Sequence, residues 1–200
     1  MGIIKPKKLK PGDTIGIFGS SSRVDAGEIN ASAEQLRRTG FNVVIHPQTY
    51  IDDKGSAGTT LEKVAALHDL FADKSIDAVI SGRGGARALH MLDKIDYDLI
   101  QANPKILMGF SDVTTLLSAI NARTGLVTFH TITAGGFHFK RPQISVIKTL
   151  ELMQGNWEAP QWPDDYPTEI IKSGETQGIL FGGNLHLLMA LLASGNEYVP

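Results

Sequence analysis

The sequence predicts an α/β fold, a mainly parallel sheet with helices on both faces. Up to His130, short apolar runs alternate with stretches of helical periodicity. The runs are predominantly apolar, as strands are when both faces of a sheet are covered. The first, third and fourth close in turns that contain glycine and serine, and the connections are short enough for βαβ units.

The first strand is Thr14-Ile15-Gly16-Ile17-Phe18, stopped by Gly19-Ser20-Ser21-Ser22. From Gly27 to Thr39, Ile29, Ala33 and Leu36 recur at helical spacing, with Gly40 placed as a C-terminal cap. Phe41 to Ile45 is the second strand, and residues 51–58 form a polar loop. Thr59 and Glu62 have capping-box spacing ahead of a helix carrying Leu61, Val64, Ala65 and Phe71. Ile76 to Ile80 is the third strand, closed by Ser81-Gly82-Arg83-Gly84-Gly85. A helix from Ala88 to Ile95 leads through Asn103-Pro104 to a strand at Ile106-Leu107-Met108, with Asp93, Asp96 and Asp98 expected on a solvated helix end. Gly109-Phe110-Ser111-Asp112 opens a helix with Val113, Leu116, Leu117 and Ile120 on one face. Leu126 to Phe129 is the fifth strand, and Ile144, Ile147 and Leu150 mark one more helix. The expected sheet is of flavodoxin-like type.

Composition then shifts. The stretch from Asn156 to Pro167 holds Trp157, Trp162, Pro160 and Pro163, as an interdomain linker would. Gly178 to Phe181 reads as a strand, Gly182-Gly183-Asn184 as a tight turn, and Leu185 to Leu192 as a helix apolar nearly all round. Such a helix needs burial, which so few residues cannot supply by themselves. It either packs on the first domain or begins a second one cut short. The expected organisation is an α/β domain at 1–155, a linker at 156–176 and the start of a truncated C-terminal domain at 177–200.

A net charge of -2 offers no electrostatic footprint for nucleic acid or an anionic membrane. No apolar run reaches membrane-spanning length or forms a signal-peptide core, so a soluble, cytoplasmic protein is expected. The cysteine count of 0 excludes disulfides, thiolate metal sites and a cysteine nucleophile. With the last goes a glutamine amidotransferase reading of this kind of sheet. The 6 histidines show no His-Glu-x-x-His spacing, so no metal site is indicated.

Ligands of parallel sheets bind beyond the carboxyl ends of the strands. Four loops converge there: 20–22, 83–85, 109–112 and His130 onward. Ser111 is the sharpest signal, because a serine at a strand-to-helix turn stands beside the N–H groups of the new helix, which can bind a developing oxyanion. Serine is also an ordinary N-cap, and Val113 replaces the second glycine of a Gly-x-Ser-x-Gly elbow. The loop Ser81 to Gly85 can cradle an anion on its amides, or its glycines can merely supply positive φ. It lacks both the Walker lysine and Gly-x-Gly-x-x-Gly spacing. Ser20, Ser21, Arg83 and Gly84 are the substrate-binding candidates of these loops. His130 ends a strand at the same edge, a hydrogen-bonded structural role being the alternative.

Taken together, these residues resemble the N-terminal part of the LD-carboxypeptidase family, which includes the microcin C self-immunity proteins. The markers are Leu9-Lys10-Pro11-Gly12-Asp13, Gly19 to Ser22, Arg83-Gly84-Gly85, Leu92 to Asp98, Asn103-Pro104-Lys105, Gly109 to Thr114, Thr128-Phe129-His130 and Gly182 to Leu185. The resemblance implies a serine peptidase with a Ser-Glu-His triad. Ser111 would be the nucleophile, and the N–H groups of Gly85 and Asp112 would form the oxyanion hole. Its substrate would be a small murein peptide, cut between an L-centre and a D-amino acid, or a peptidyl- or aminoacyl-nucleotide amide. It implies no cofactor, no metal, no nucleic-acid or membrane partner, and allows a homodimer. The family's loop continues Arg-Gly-Gly-Tyr-Gly, whereas Ala86 and Arg87 stand here, and Thr131-Ile132 replaces Gly-Pro. The family's glutamate and histidine lie downstream of the Gly-Gly-Asn motif, and neither Glu197, His130 nor His186 matches them, so this chain alone is expected to be inactive. The reading from a different class is a non-catalytic flavodoxin-like module that binds a small ligand.

Overall fold

Five strands, β1 (Thr14–Phe18), β2 (Asn42–Ile45), β3 (Ala78–Ser81), β4 (Ile106–Gly109) and β5 (Phe129–His130), form one sheet in the order β2-β1-β3-β4-β5. Every neighbouring pair is parallel. This is the expected doubly wound order, with its switch point between β1 and β3. The computed structural model describes residues 2–138, 143–156, 169–195 and 197–200. Its helices are α1 (Ala26–Arg38), α2 (Thr60–Ala72), α3 (Tyr97–Ala102), α4 (Thr114–Thr124), α5 (Gln143–Met153) and α6 (Leu185–Ser194).

The pleat distributes each strand between two cores. Ile15, Ile17, Ala78, Ile80, Ile106 and Met108 pack with Ile29, Ala33 and Leu36 of α1 and Met153 of α5. On the other face Phe18, Val79 and Leu107 meet Leu67, Leu70 and Phe71 of α2 and Leu116 and Ile120 of α4. The capping box at α2 is present in both directions, Thr59 taking the Glu62 N–H and Glu62 the Thr59 N–H. Among the described residues no helix is long and apolar enough to cross a membrane.

Four expectations change. The stretch beginning at Ala88 is a 3-10 helix ending at Lys94, and the segment after it is not a featureless connection. Asp96 accepts from the Leu99 N–H at 2.9 Å and caps α3, so it starts a helix instead of decorating the end of one. The fifth strand is displaced to Phe129–His130 because Ile4 takes the preceding residues. Val127 N–H donates to the Ile4 carbonyl and Ile4 N–H to the Gly125 carbonyl, each at 2.8 Å, so Ile4 bridges Leu126 in parallel. Residues 178–181 form no strand, since among the described residues nothing pairs with them, and Leu180 is 95% exposed. The apolar helix α6 packs on this domain through one face only. Leu191 is buried in the core beside α4, while Leu185 remains 75% exposed. Most of the expected linker, residues 157–168, lies outside the described residues.

His68 of α2 joins α3 to the body, its Nε2 accepting from the Asp96 N–H at 2.9 Å. Burial pushes its pKa below the ordinary histidine value, with Asp96 and Asp69 opposing the shift. The unfolded chain therefore binds this proton more tightly than the folded one. Stability should fall as pH drops below about 6.5, the histidine's unperturbed value. Urea denaturation at pH 7 and pH 5 should show the loss, and a smaller loss in His68→Gln. An identical pH dependence in the variant would refute the assignment.

Candidate active site

β4 ends at Gly109, and the chain passes through Phe110 into one 3-10 turn, Ser111–Val113, before α4 begins. Ser111 holds φ at 60°. That left-handed conformation costs a residue with a Cβ roughly 1–2 kcal/mol. Phe110 occupies the N-cap position of the turn and no side chain caps it. Ser111 is therefore not the N-cap that its residue type suggested. Its half-buried hydroxyl makes no hydrogen bond among the described residues.

The loop after β3 comes directly against this turn. A Cβ on Gly84 would stand 2.9 Å from Ser111 Cβ and 3.4 Å from its Oγ. Gly85 has φ of 136°, and a Cβ there would lie 2.0 Å from Ser22 Oγ. Glycine is required at both positions, by close approach at the first and by conformation as well at the second. The Gly85 N–H has no acceptor among the described residues. The Asp112 N–H stands in the first turn of a helix, where no intrahelical acceptor exists. Both amides are thus available beside Ser111.

The Asp112 side chain has a different task. It is buried, and its Oδ2 accepts from the Ala88 N–H at 2.9 Å, fastening the glycine loop to the serine turn. Lys63 of α2 is buried to 1% exposure nearby. Burial pulls its pKa below the usual lysine range; Asp112 acts to raise it and Arg87 to lower it. Arg87 itself stands in the left-handed region at φ 80°.

Beside Ser111 opens a cavity of about 330 Å³. Arg83, Gly84 and Gly85, all expected at the site, line it together with Ser111. Ser20 and Ser21 do not. Both are fully buried, Ser20 Oγ lying 2.6 Å from Ser81 Oγ and 3.3 Å from Ser21 Oγ, so they tie the ends of β1 and β3 together. Ser22, next in sequence, takes the place on the wall. Val24 just before α1, Glu28 and Ile29 in its first turn, and Thr133 and Gly135 after β5 also line it. Only their position after strands β1 and β5 could have singled them out.

His130 follows its structural alternative. Its Nε2 lies 3.1 Å from Thr114 Oγ1, and its ring meets Phe110 edge to face with centroids 6.4 Å apart. Desolvation of the ring lowers its pKa from the ordinary value, against a backbone hydrogen bond that raises it. Thr114 Oγ1 also accepts from the Asn184 N–H at 3.1 Å, and a Cβ on Gly183 would lie 2.4 Å from Thr114 Cγ2. The Gly182-Gly183-Asn184 turn is therefore seated at the start of α4, immediately behind the serine.

A parallel α/β sheet presenting a strained serine at a strand-to-helix turn, with free amides and a cavity beside it, has the architecture of serine hydrolases. The model of the LD-carboxypeptidase N-terminal domain, peptidase family S66, matches residues 15–131, and the chain belongs to this family. The microcin C7 self-immunity protein MccF of Escherichia coli is 33% identical over 96% of this chain and 64% of that protein. The murein tetrapeptide carboxypeptidase of Pseudomonas aeruginosa is 30% identical over 61% of this chain and 40% of that protein. A solved structure of MccF in complex with aspartyl sulfamoyl adenosine superposes with a TM-score of 0.82 at 28% identity, covering 98% of this chain and 67% of that one. The chain thus spans less than two thirds of MccF's full length.

The strain at Ser111 should be measurable. Ser111→Gly should raise stability by up to about 1 kcal/mol, the relief of left-handed strain less the added chain entropy of glycine. Gly85→Ala should lower it by more than about 1 kcal/mol, since the new methyl meets Ser22 in a conformation alanine disfavours. Chemical denaturation of the two variants checks both signs.

Proposed function

We propose that this chain is the nucleophile-bearing part of a serine peptidase that cleaves the terminal amide of a small peptide or of an aminoacyl-nucleotide. The observation that supports it most is Ser111 itself, strained, without a hydrogen-bond partner among the described residues, and packed against the glycine loop. Ser111 Oγ attacks the scissile carbonyl carbon while a base takes its proton, and the carbonyl oxygen becomes an oxyanion between the N–H groups of Gly85 and Asp112. Each donor of such a pair supplies about 3 kcal/mol of transition-state stabilisation. The C–N bond then breaks, the leaving amine takes the proton, and water hydrolyses the acyl-serine to regenerate the hydroxyl.

Among the described residues no histidine hydrogen-bonds Ser111 Oγ. On this reading the domain at 1–155 holds the nucleophile and the oxyanion donors. The segment at 177–200, reached through the linker at 156–176, begins the domain that supplies the general base and its orienting carboxylate. The docking of Gly183 and Asn184 on Thr114 supports this, because it leads the chain out beside the nucleophile.

A fluorophosphonate should label Ser111 in the full-length protein, and Ser111→Ala should abolish labelling and lower kcat for an L,D-dipeptide amide by about a thousandfold or more. The isolated 200-residue chain should be inactive or severely impaired. Full-length protein that neither labels nor hydrolyses would favour the binding-module reading, and Ser111-dependent turnover by the isolated chain would overturn the division of the triad.

A further inference from the structure

The glycine loop that packs against Ser111 is held at its downstream end by Asp112, through the Ala88 N–H at 2.9 Å. Its upstream end is held by a side chain that takes no part in the cavity wall. Ser81, the last residue of β3, donates from Oγ to the Arg83 carbonyl at 3.0 Å. Ser81 Oγ also lies 2.6 Å from Ser20 Oγ, and Ser20 Oγ lies 3.3 Å from Ser21 Oγ. All three serines are fully buried.

Proton counting gives this row of hydroxyls one direction. A carbonyl only accepts, so the single hydroxyl proton of Ser81 is committed to Arg83. Ser81 Oγ must then accept from Ser20, and Ser20 Oγ from Ser21. Every donor points toward the loop, and such a row strengthens its terminal bond by mutual polarisation. Between the two anchors lie Gly84 and Gly85, and neither makes a backbone hydrogen bond among the described residues. Residues without a Cβ and without backbone partners keep one conformation only if their neighbours impose it. The held carbonyl imposes it from upstream, because it fixes the plane of the Arg83–Gly84 peptide.

We propose that Ser81 is a positioning residue for the reaction, holding the Gly85 N–H in place for the oxyanion by way of the Arg83 carbonyl. The inference rests on the peptidase reading above, in which Gly85 supplies an oxyanion donor. Ser81 does not line the cavity, so it acts through the loop alone. A tie between strands is the ordinary role for the same hydroxyl, and the two roles separate by variant. Ser20→Ala cuts the tie between the ends of β1 and β3 but leaves Ser81 its bond to Arg83, whereas Ser81→Ala cuts both.

The test uses full-length protein with L-lysyl-D-alanine as substrate. Ser81→Ala should lower kcat by about tenfold or more with KM within about twofold of wild type, as displacement of an oxyanion donor does. Ser20→Ala should keep kcat within about threefold of wild type, since the loop keeps its anchor. No loss in Ser81→Ala, equal losses in the two variants, or a loss confined to KM overturns the proposal. Should Ser81→Ala not fold, Ser81→Cys takes its place under the same outcomes, because a thiol fills the site but donates only weakly. A second readout needs no turnover. NMR order parameters of the Gly84 and Gly85 amides should fall in Ser81→Ala and hold in Ser20→Ala. Wild-type protein that neither hydrolyses the peptide nor takes a fluorophosphonate overturns the peptidase reading instead. The hold of Ser81 on the loop is then judged by the order parameters alone, which fall if it exists and stay unchanged if it does not.

Discussion

The close approach of the loop after β3 to the turn after β4 is the constraint on which the site depends. Gly84 lies where any Cβ would press on Ser111, and the buried Asp112 carboxylate holds the Ala88 N–H at 2.9 Å. One contact excludes bulk and the other supplies attraction. Together they hold the glycine loop, with Gly85 in it, against the turn that carries Ser111 and Asp112. A buried carboxylate is costly unless its oxygens are satisfied. Here the Ala88 amide meets that need directly, with the Lys63 ammonium as a nearby counter-charge.

That fastening also explains how a serine persists at φ 60°. Strain of this kind survives only where its surroundings over-determine the backbone. Val113 and Leu116 are fully buried on the far side of the turn, and a Cβ on Gly109 would lie 2.6 Å from Val113 Cγ1. The turn is pinned between the sheet and α4, and the energy stored at Ser111 is offset by that packing. The same α4 carries Thr114, which joins His130 on one side to Asn184 on the other. The Ser111 turn, the end of β5 and the entry to α6 thus share one anchor.

Much of the fold was legible because its signals are local. β1 was placed at Thr14–Phe18, and the Thr59–Glu62 box marked α2, since apolar runs and caps act within a few residues. What failed were features decided by distant partners. The fifth strand moved because Ile4, far away in sequence, paired with Leu126. Residues 178–181 have strand composition but no neighbour among the described residues to complete their hydrogen bonds. Within the site, Arg83, Gly84, Gly85, Ser111 and Asp112 stood out through motif and loop position. Ser20 and Ser21, read as substrate-binding candidates, are fully buried and do not line the cavity. Glu28 gave no signal, because a first-turn glutamate of an amphipathic helix is commonplace until its helix is set against a cavity.

By itself, then, the sequence determined the order of elements, the parallel sheet and the choice of serine over cysteine chemistry. Periodicity, turn residues and the absence of a thiol are properties of the chain alone. Only the tertiary structure decided that Ser111 is strained and not an N-cap, and that Ser22 replaces its two predecessors on the wall. It also decided that Glu28 and Arg83 face one cavity without pairing. Each of those outcomes depends on distances between loops that follow different strands, and no local pattern of residues encodes such a distance.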